Sequence, residues 1–349
     1  MFGITISDLV YRRRQFLIAT VGAGLVFAMT LLLAGLTAGF GVEIDQTVSG
    51  FHADVWVVKA GSSGRVASLA PLAESAVAQV AATPGVRTAT PVVVIPQTAD
   101  VAGDLQQVNL IGAPVGTGPG DQPLTSGHLV QGPGQAVVDQ RLGVALGHQV
   151  GLGGKTFTVV GITTDRTLLG GIANMYVDLT DAQSAAFEGA RIISAVIVTG
   201  TPSSTPAGLA VLTNDQIEQA SLDQMSTAVS SINNSRLFMW AIAAVIVASL
   251  VYVTALERTR DFAVLKALGA SSGKLYVGLA FQAVAVALIA AVVAVVLAQF
   301  MTGVFSQPID FPASAYVELP VSAVVVGLLA SLIALRRAVA ADPAKAFAG

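Results

Sequence analysis

The chain has 349 residues, of which 54% are hydrophobic and only 11% charged, with a formal net charge of -3 and a mean hydropathy of +0.73. A soluble domain carries roughly 25% charged residues, so the composition excludes an ordinary soluble enzyme and points to membrane-spanning segments. There is no cysteine, which excludes a disulfide framework, a zinc site built on thiolates and a thiol nucleophile, and the small net charge gives no reason to expect a nucleic-acid partner.

In chain order, residues 1–15 form a short segment with Arg12, Arg13 and Arg14, followed by a charge-free apolar run over 16–40. A hydrocarbon core of about 30 Å needs about 20 helical residues, so this run predicts transmembrane helix 1. A signal peptide would share the basic start, but its apolar region covers only about 7–15 residues; the run here reads as an uncleaved anchor.

Residues 41–236 have ordinary polarity and predict a large domain. Val55–Val58, Val92–Ile95 and Ile192–Val198 are β-branched runs bounded by Gly, Pro or Ser, the pattern of strands. Pro71–Ala82 has helical spacing, and a helix from about Asn214 leads toward the next apolar run. This arrangement predicts an α+β subdomain built from two distant parts of the chain. Residues 100–180 between them are Gly-rich, with strands expected at Val108–Ile111, Ala136–Val138, Thr156–Ile162 and Met175–Val177. They predict an inserted small β-rich lobe, either a barrel or a compact sheet.

No catalytic, cofactor or metal site is legible in this domain. Gly151-Leu-Gly-Gly-Lys155-Thr156 imitates the end of a phosphate loop, but Gln149 stands where its first glycine belongs, and a strand-like run follows where a helix should open. It reads as a turn between strands. Gly269-Ala-Ser-Ser-Gly273-Lys274 is one residue too short and reads as a junction between helices. His52, His128 and His148 are scattered, with no pair at metal-ligand spacing.

Transmembrane helices 2, 3 and 4 are predicted over 237–256, 275–301 and 319–335, with a short extracytoplasmic loop at 302–318 and a tail at 336–349. None of the four runs contains a charged residue. Intramembrane charges usually mark ion paths or proton relays, so the spans predict packing and transmission of motion rather than conduction. Gln282 and Gln299, the strongly polar residues of the third run, read as helix–helix hydrogen-bonding groups.

The loop at 257–274 is the richest candidate site. Glu257, Arg258, Arg260 and Asp261 precede apolar positions Phe262, Leu265 and Leu268 around Lys266, and Gly269 closes the run. That is an amphipathic helix with a glycine stop. Two readings fit it: a helix lying on the lipid headgroups, or a docking helix for a cytoplasmic partner.

Orientation follows from the basic residues. Three short segments, 1–15, 257–274 and 336–349, hold 10 of the 18 Lys and Arg, whereas 302–318 holds none. The positive-inside bias places those three segments in the cytoplasm. Both termini are then cytoplasmic, and residues 41–236, with 8 basic and 15 acidic residues, lie outside. The fold class expected is a membrane α-helical protein with four transmembrane helices and a large extracytoplasmic α+β domain.

Glu257-Arg-Thr-Arg-Asp-Phe-Ala-Val-Leu-Lys-Ala-Leu-Gly-Ala-Ser271 resembles the E-R-x-R-E-I-[GA]-x-[LM]-[KR]-A-[LI]-G-A signature of FtsX-like ABC transporter permeases, the MacB/LolC/FtsX group. It departs at Asp261 and Phe262, where the signature has Glu and Ile. The tail, with Arg336, Arg337 and Pro343, is similar to that group's ending but lacks its final basic residue. Ala136–Gly151 followed by Lys155–Ile162 resembles a run of MacB-type periplasmic domains. The resemblance implies a homodimer, each copy docked through the loop helix on a separate cytoplasmic ATPase that binds ATP and Mg, while this chain binds no cofactor and is not an enzyme. It implies the bacterial cytoplasmic membrane, contact with lipid and an extracytoplasmic partner. The function expected is mechanotransmission, exporting or extracting a lipophilic or peptidic substrate. Two alternatives stay open: an importer permease for amino acids or other small solutes, and a non-transporting scaffold that activates a cell-wall hydrolase.

Overall fold

The computed structural model describes residues 13–117, 122–257, 264, 271–302 and 309–338. They divide into two compact units, one over residues 39–228 and one holding the apolar helices.

The apolar unit is built from four helices: α1 (Arg13–Ser49), α4 (Asn214–Glu257), α5 (Ser272–Met301) and α6 (Ala313–Ala338). The four charge-free runs lie within them, and all four are long and apolar enough to cross a membrane. Their shared core is rich in alanine, with Ala283, Ala287, Ala290, Ala294 and Ala298 along one face of α5. Lipid tails are as apolar as leucine, so helices in a bilayer associate through close packing of small residues rather than hydrophobic burial. Gly327 illustrates this on α6. A Cβ there would meet the Val284 backbone of α5 at 2.8 and 2.9 Å. Large apolar side chains such as Phe238, Val292, Phe300 and Val317 stay exposed on the outside of the bundle, as a lipid-facing surface requires. Gln282 is buried with its Nε2 unpaired. Gln299 donates from Nε2 to the Tyr316 hydroxyl at 3.2 Å, linking α5 to α6.

The second unit, the sheet domain, contains the end of α1 and the start of α4. Its strands are β1 (Val55–Lys59), β2 (Leu72–Ala73), β3 (Val86–Val101), β4 (Asp104–Ala113), β5 (Ser126–Gly127), β6 (Gln135–Asp139), β7 (Gln149–Leu152), β8 (Lys155–Thr163), β9 (Thr167–Leu168), β10 (Ile172–Asp178), β11 (Ile192–Ile193), β12 (Ala195–Gly200) and β13 (Leu209–Thr213). Two short helices, α2 (Ala76–Ala81) and α3 (Leu179–Phe187), complete it. Helix α2 is shorter than the 71–82 pattern predicts, because Leu72–Ala73 pairs with β11 instead.

The main sheet runs β13-β1-β12-β3-β4-β10-β6-β8-β5. Strand β3 is the spine: Val86–Val92 pairs with β12, and Val93–Val101 pairs with β4. Strand β7 pairs with both β8 and β3, so β3, β4, β10, β6, β8 and β7 close into a ring. The strands expected in an inserted lobe over 100–180 therefore share β3 and two hydrophobic clusters with the rest of the domain. Pro96 lies on β3 between the stretch paired with β12 and the residues paired with β7, a gap where a missing N–H costs no ladder bond. Gly153 and Gly154, both at positive φ, make the two-residue turn from β7 to β8. That is the turn expected at 151–156, and its backbone fits the right-handed twist of a hairpin.

Candidate functional site

The predicted docking loop begins at Glu257. Glu257 is the last residue of α4 and is exposed. Arg258, Arg260, Asp261, Phe262, Leu265, Lys266, Leu268 and Gly269 lie outside the described residues, as does Pro343. Arg336 and Arg337 fall in the last turn of α6. His52, His128 and His148 are all solvent-exposed in the sheet domain.

The most elaborate polar site among the described residues is within the sheet domain, where α1 ends. Glu43 is 3% exposed and sits three residues past Phe40, the end of the charge-free run. Its Oε1 accepts hydrogen bonds from the Thr167 hydroxyl and from the Gly171 backbone N–H, the latter at 2.7 Å, and its Oε2 accepts from the Gly170 N–H at 2.9 Å. Burying a carboxyl group is costly unless its oxygens are satisfied, and here both are.

The turn between β9 and β10 is shaped for this. Leu169, Gly170 and Gly171 all have positive φ, at 60°, 84° and 94°, and the Gly170 and Gly171 N–H groups both point to the Glu43 carboxyl. Only glycine adopts these angles freely; Leu169 bears the strain of the non-glycine position.

The contacts continue along α1. The Thr47 hydroxyl donates to the Thr167 carbonyl at 3.4 Å, and the Arg166 guanidinium donates to the Gln46 carbonyl at 3.2 Å. On the other side, Asn109 of β4 donates from Nδ2 to the Leu168 and Ile172 carbonyls, each at 3.2 Å, and to Asn174 Oδ1 at 3.3 Å. Asn174 of β10 donates in turn to the Tyr176 hydroxyl at 3.3 Å. Burial pushes the Tyr176 phenol up to about 12, so it stays protonated as a neutral member of the chain. Asp139, fully buried, accepts the Arg166 N–H at 2.7 Å and anchors the approach to β9. The turn is thus gripped by α1 on one side and by β4 on the other.

The start of α4 is attached by neutral groups. Trp56 Nε1 donates to Asn214 Oδ1 at 2.9 Å, and Ser221 Oγ accepts the Val66 N–H at 3.0 Å. A cleft lined by Phe40, Ile44, Val66, Leu168 and Met225 lies beside Glu43. Within the apolar unit, Arg236 at the head of the α4 apolar run pairs with Glu318 of α6 at 3.3 Å.

The Glu43 site has no local signature in the sequence. Glu43 and Gly170 are 127 residues apart, and neither Glu in a helix nor Leu-Leu-Gly-Gly in a loop is distinctive alone. The readable signal was a carboxylate immediately after a charge-free span.

Two family models match the chain: the FtsX-like permease C-terminal model over residues 236–343, and the MacB-like periplasmic core domain model over residues 16–225. Relatives include an ABC transporter permease of Mycobacterium bovis, 39% identical over 349 residues and covering all of both chains. An ABC transporter permease of Mycobacterium tuberculosis is 36% identical over the same full span. Among solved structures, the periplasmic region of MacB from Actinobacillus actinomycetemcomitans aligns with 49% of this chain and 94% of its own, at 16% identity and a TM-score of 0.37. The extracellular domain of the noncanonic ABC-type transporter YknZ from Gram-positive bacteria aligns with 48% of this chain and 87% of its own, at 19% identity and a TM-score of 0.33.

Proposed function

Because the chain belongs to the FtsX-like ABC transporter permeases with a MacB-like periplasmic core domain, we propose that it works by mechanotransmission. A permease of an ABC transporter implies a partner ATPase. In this reading a separate cytoplasmic ATPase, binding ATP and Mg, docks on the loop at 257–270 of each copy in a homodimer, and the tail around Arg336, Arg337 and Pro343 adds to the contact. ATP-driven closure of the two ATPases moves the spans, and the spans move the sheet domains on the extracytoplasmic side of a bacterial cytoplasmic membrane. The work done there is export or extraction of a lipophilic or peptidic substrate.

The observation that carries this reading is the form of the connections. Helix α1 (Arg13–Ser49) and helix α4 (Asn214–Glu257) each contribute residues to both compact units. At about 1.5 Å rise per residue, helices of 37 and 44 residues are far longer than the roughly 20 that a bilayer core needs. A continuous helix conveys displacement along its axis, whereas a flexible linker absorbs it. The absence of charged residues from the four apolar runs supports the same reading, since a hydrophilic solute path would use some.

The test is a reconstituted complex with the partner ATPase. Glu257→Ala, Arg260→Ala and Leu265→Pro are each expected to insert normally yet to lose permease-dependent ATP hydrolysis. Normal binding and normal coupled hydrolysis in all three variants would overturn the docking assignment.

A further inference from the structure

We propose that the carboxyl group of Glu43, seated in the turn between β9 and β10, is the peg that fixes the end of α1 to the sheet, making Glu43 a positioning residue for coupling. The inference rests on the mechanotransmission reading and names the point at which α1 hands its displacement to the sheet domain.

Three features of the site support a joint rather than ordinary packing. First, apolar contacts are non-directional and tolerate sliding, while hydrogen bonds of fixed length and angle set a register. Glu43 uses three donors on one turn, from Thr167, Gly170 and Gly171. Second, the turn is held on its far side. Asn109 ties both Leu168 and Ile172 carbonyls to β4, and β4 pairs with both β3 and β10. Displacement of Glu43 is therefore delivered to the middle of the sheet. Third, a buried polar group is a poor way to gain stability alone, since a well-packed apolar residue serves as well or better. Its usefulness here is a unique position of α1 on the domain. The start of α4 has its own neutral ties through Asn214 and Ser221, so the peg belongs to α1 alone.

The chain contains no cysteine, so spin labels can be placed at chosen sites. Ser49→Cys at the end of α1 and Gln107→Cys on β4, both exposed, report the position of α1 on the sheet in the full-length protein in lipid nanodiscs. The wild-type background is expected to give one narrow distance distribution. Glu43→Gln and Thr167→Val are each expected to broaden it at least twofold, whereas Thr167→Ser, which keeps the hydroxyl, restores the narrow distribution. If Glu43→Gln fails to fold, the Thr167→Val and Thr167→Ser pair decides. A distribution as narrow in Thr167→Val as in wild type, with or without a lowered melting temperature, would overturn the peg. The broader reading fails differently: labels on the sheet domain of the wild-type complex that ignore ATP would end mechanotransmission and leave the peg measurement standing.

Discussion

Trp56 and Asn214 tie the first strand of the sheet domain to the first residue of α4. The fully buried indole donates from Nε1 to Asn214 Oδ1 at 2.9 Å, while Asn214 Nδ2 donates to the Ala53 carbonyl at 2.9 Å. One amide thus closes a bridge across 158 positions of sequence. Phe51 packs against the same indole with ring centroids 4.8 Å apart, so the segment that follows α1 and the segment that begins α4 meet around Trp56.

Removing that amide leaves a buried donor without a partner. Such a loss costs about 1–3 kcal/mol, and Asn214→Ala is expected to destabilise the domain by that amount. Thermal unfolding of the detergent-solubilised protein, followed by tryptophan fluorescence, reads it directly, because only Trp56 and Trp240 contribute. A melting temperature equal to wild type would show that the bridge adds nothing.

Within the apolar unit, Gly327 offers a steric test. A Cβ at that position meets the backbone N and Cα of Val284, and backbone cannot rotate away as a side chain can. Overpacking typically costs about 1–3 kcal/mol; Gly327→Ala is expected to lose that much and Gly327→Leu more. Gly278 on α5 has no atom near its Cβ position, so Gly278→Ala is the matched control and should change little. Denaturant-induced unfolding of the two variants in the same micelle compares them.

Asp54 carries a pH signature. Its Oδ2 accepts the Gly200 N–H at 2.6 Å and the Arg87 guanidinium at 2.9 Å. The backbone bond first and the guanidinium second hold its carboxyl below the usual value of 3.8. A folded-state pKa below the unfolded one stabilises the protein above the unfolded pKa and loses that stabilisation as pH falls through the folded value. Melting temperatures of wild type and Asp54→Asn are therefore expected to differ at pH 6 and to converge as pH drops below about 3.8. A constant difference across that range would rule out the ionised carboxylate as the source.

The spans were legible because charge is costly in hydrocarbon, so four uncharged runs can be read without any partner or alignment. Their continuation was less so. Gly39 and Gly41 look like helix breakers, yet α1 runs on to Ser49, held by packing of Ile44 and Val48 in the domain core. The polar start of α4 is clearer, with Leu222, Met225, Val229 and Ile232 at helical spacing before Arg236 and a turn before Asn214. Of strand β3, only Val92–Ile95 carries a strand pattern in the sequence, because Pro91 and Pro96 interrupt the local signal. Its 16 residues exist because two different partners each pair with half of it. The Glu43 site depends on contacts across more than 120 residues, which local pattern cannot reveal.

Asn109 provides the last test, because it supports the turn that receives Glu43 from the opposite side. It is fully buried in β4, and its Nδ2 serves two carbonyls and one side-chain oxygen while its own Oδ1 has no partner. Asn109→Ala strips the Leu168 and Ile172 carbonyls of a buried donor, at about 1–3 kcal/mol. Asn109→Asp keeps the shape but offers no donor when ionised, so it should be at least as damaging. The two faces of the turn are linked through its backbone. The Gly170 and Gly171 amides, which bond Glu43, are therefore expected to exchange with deuterium at least tenfold faster in Asn109→Ala. Unchanged exchange at those amides, together with a lowered melting temperature, would mean that Asn109 supports the sheet without bracing the turn.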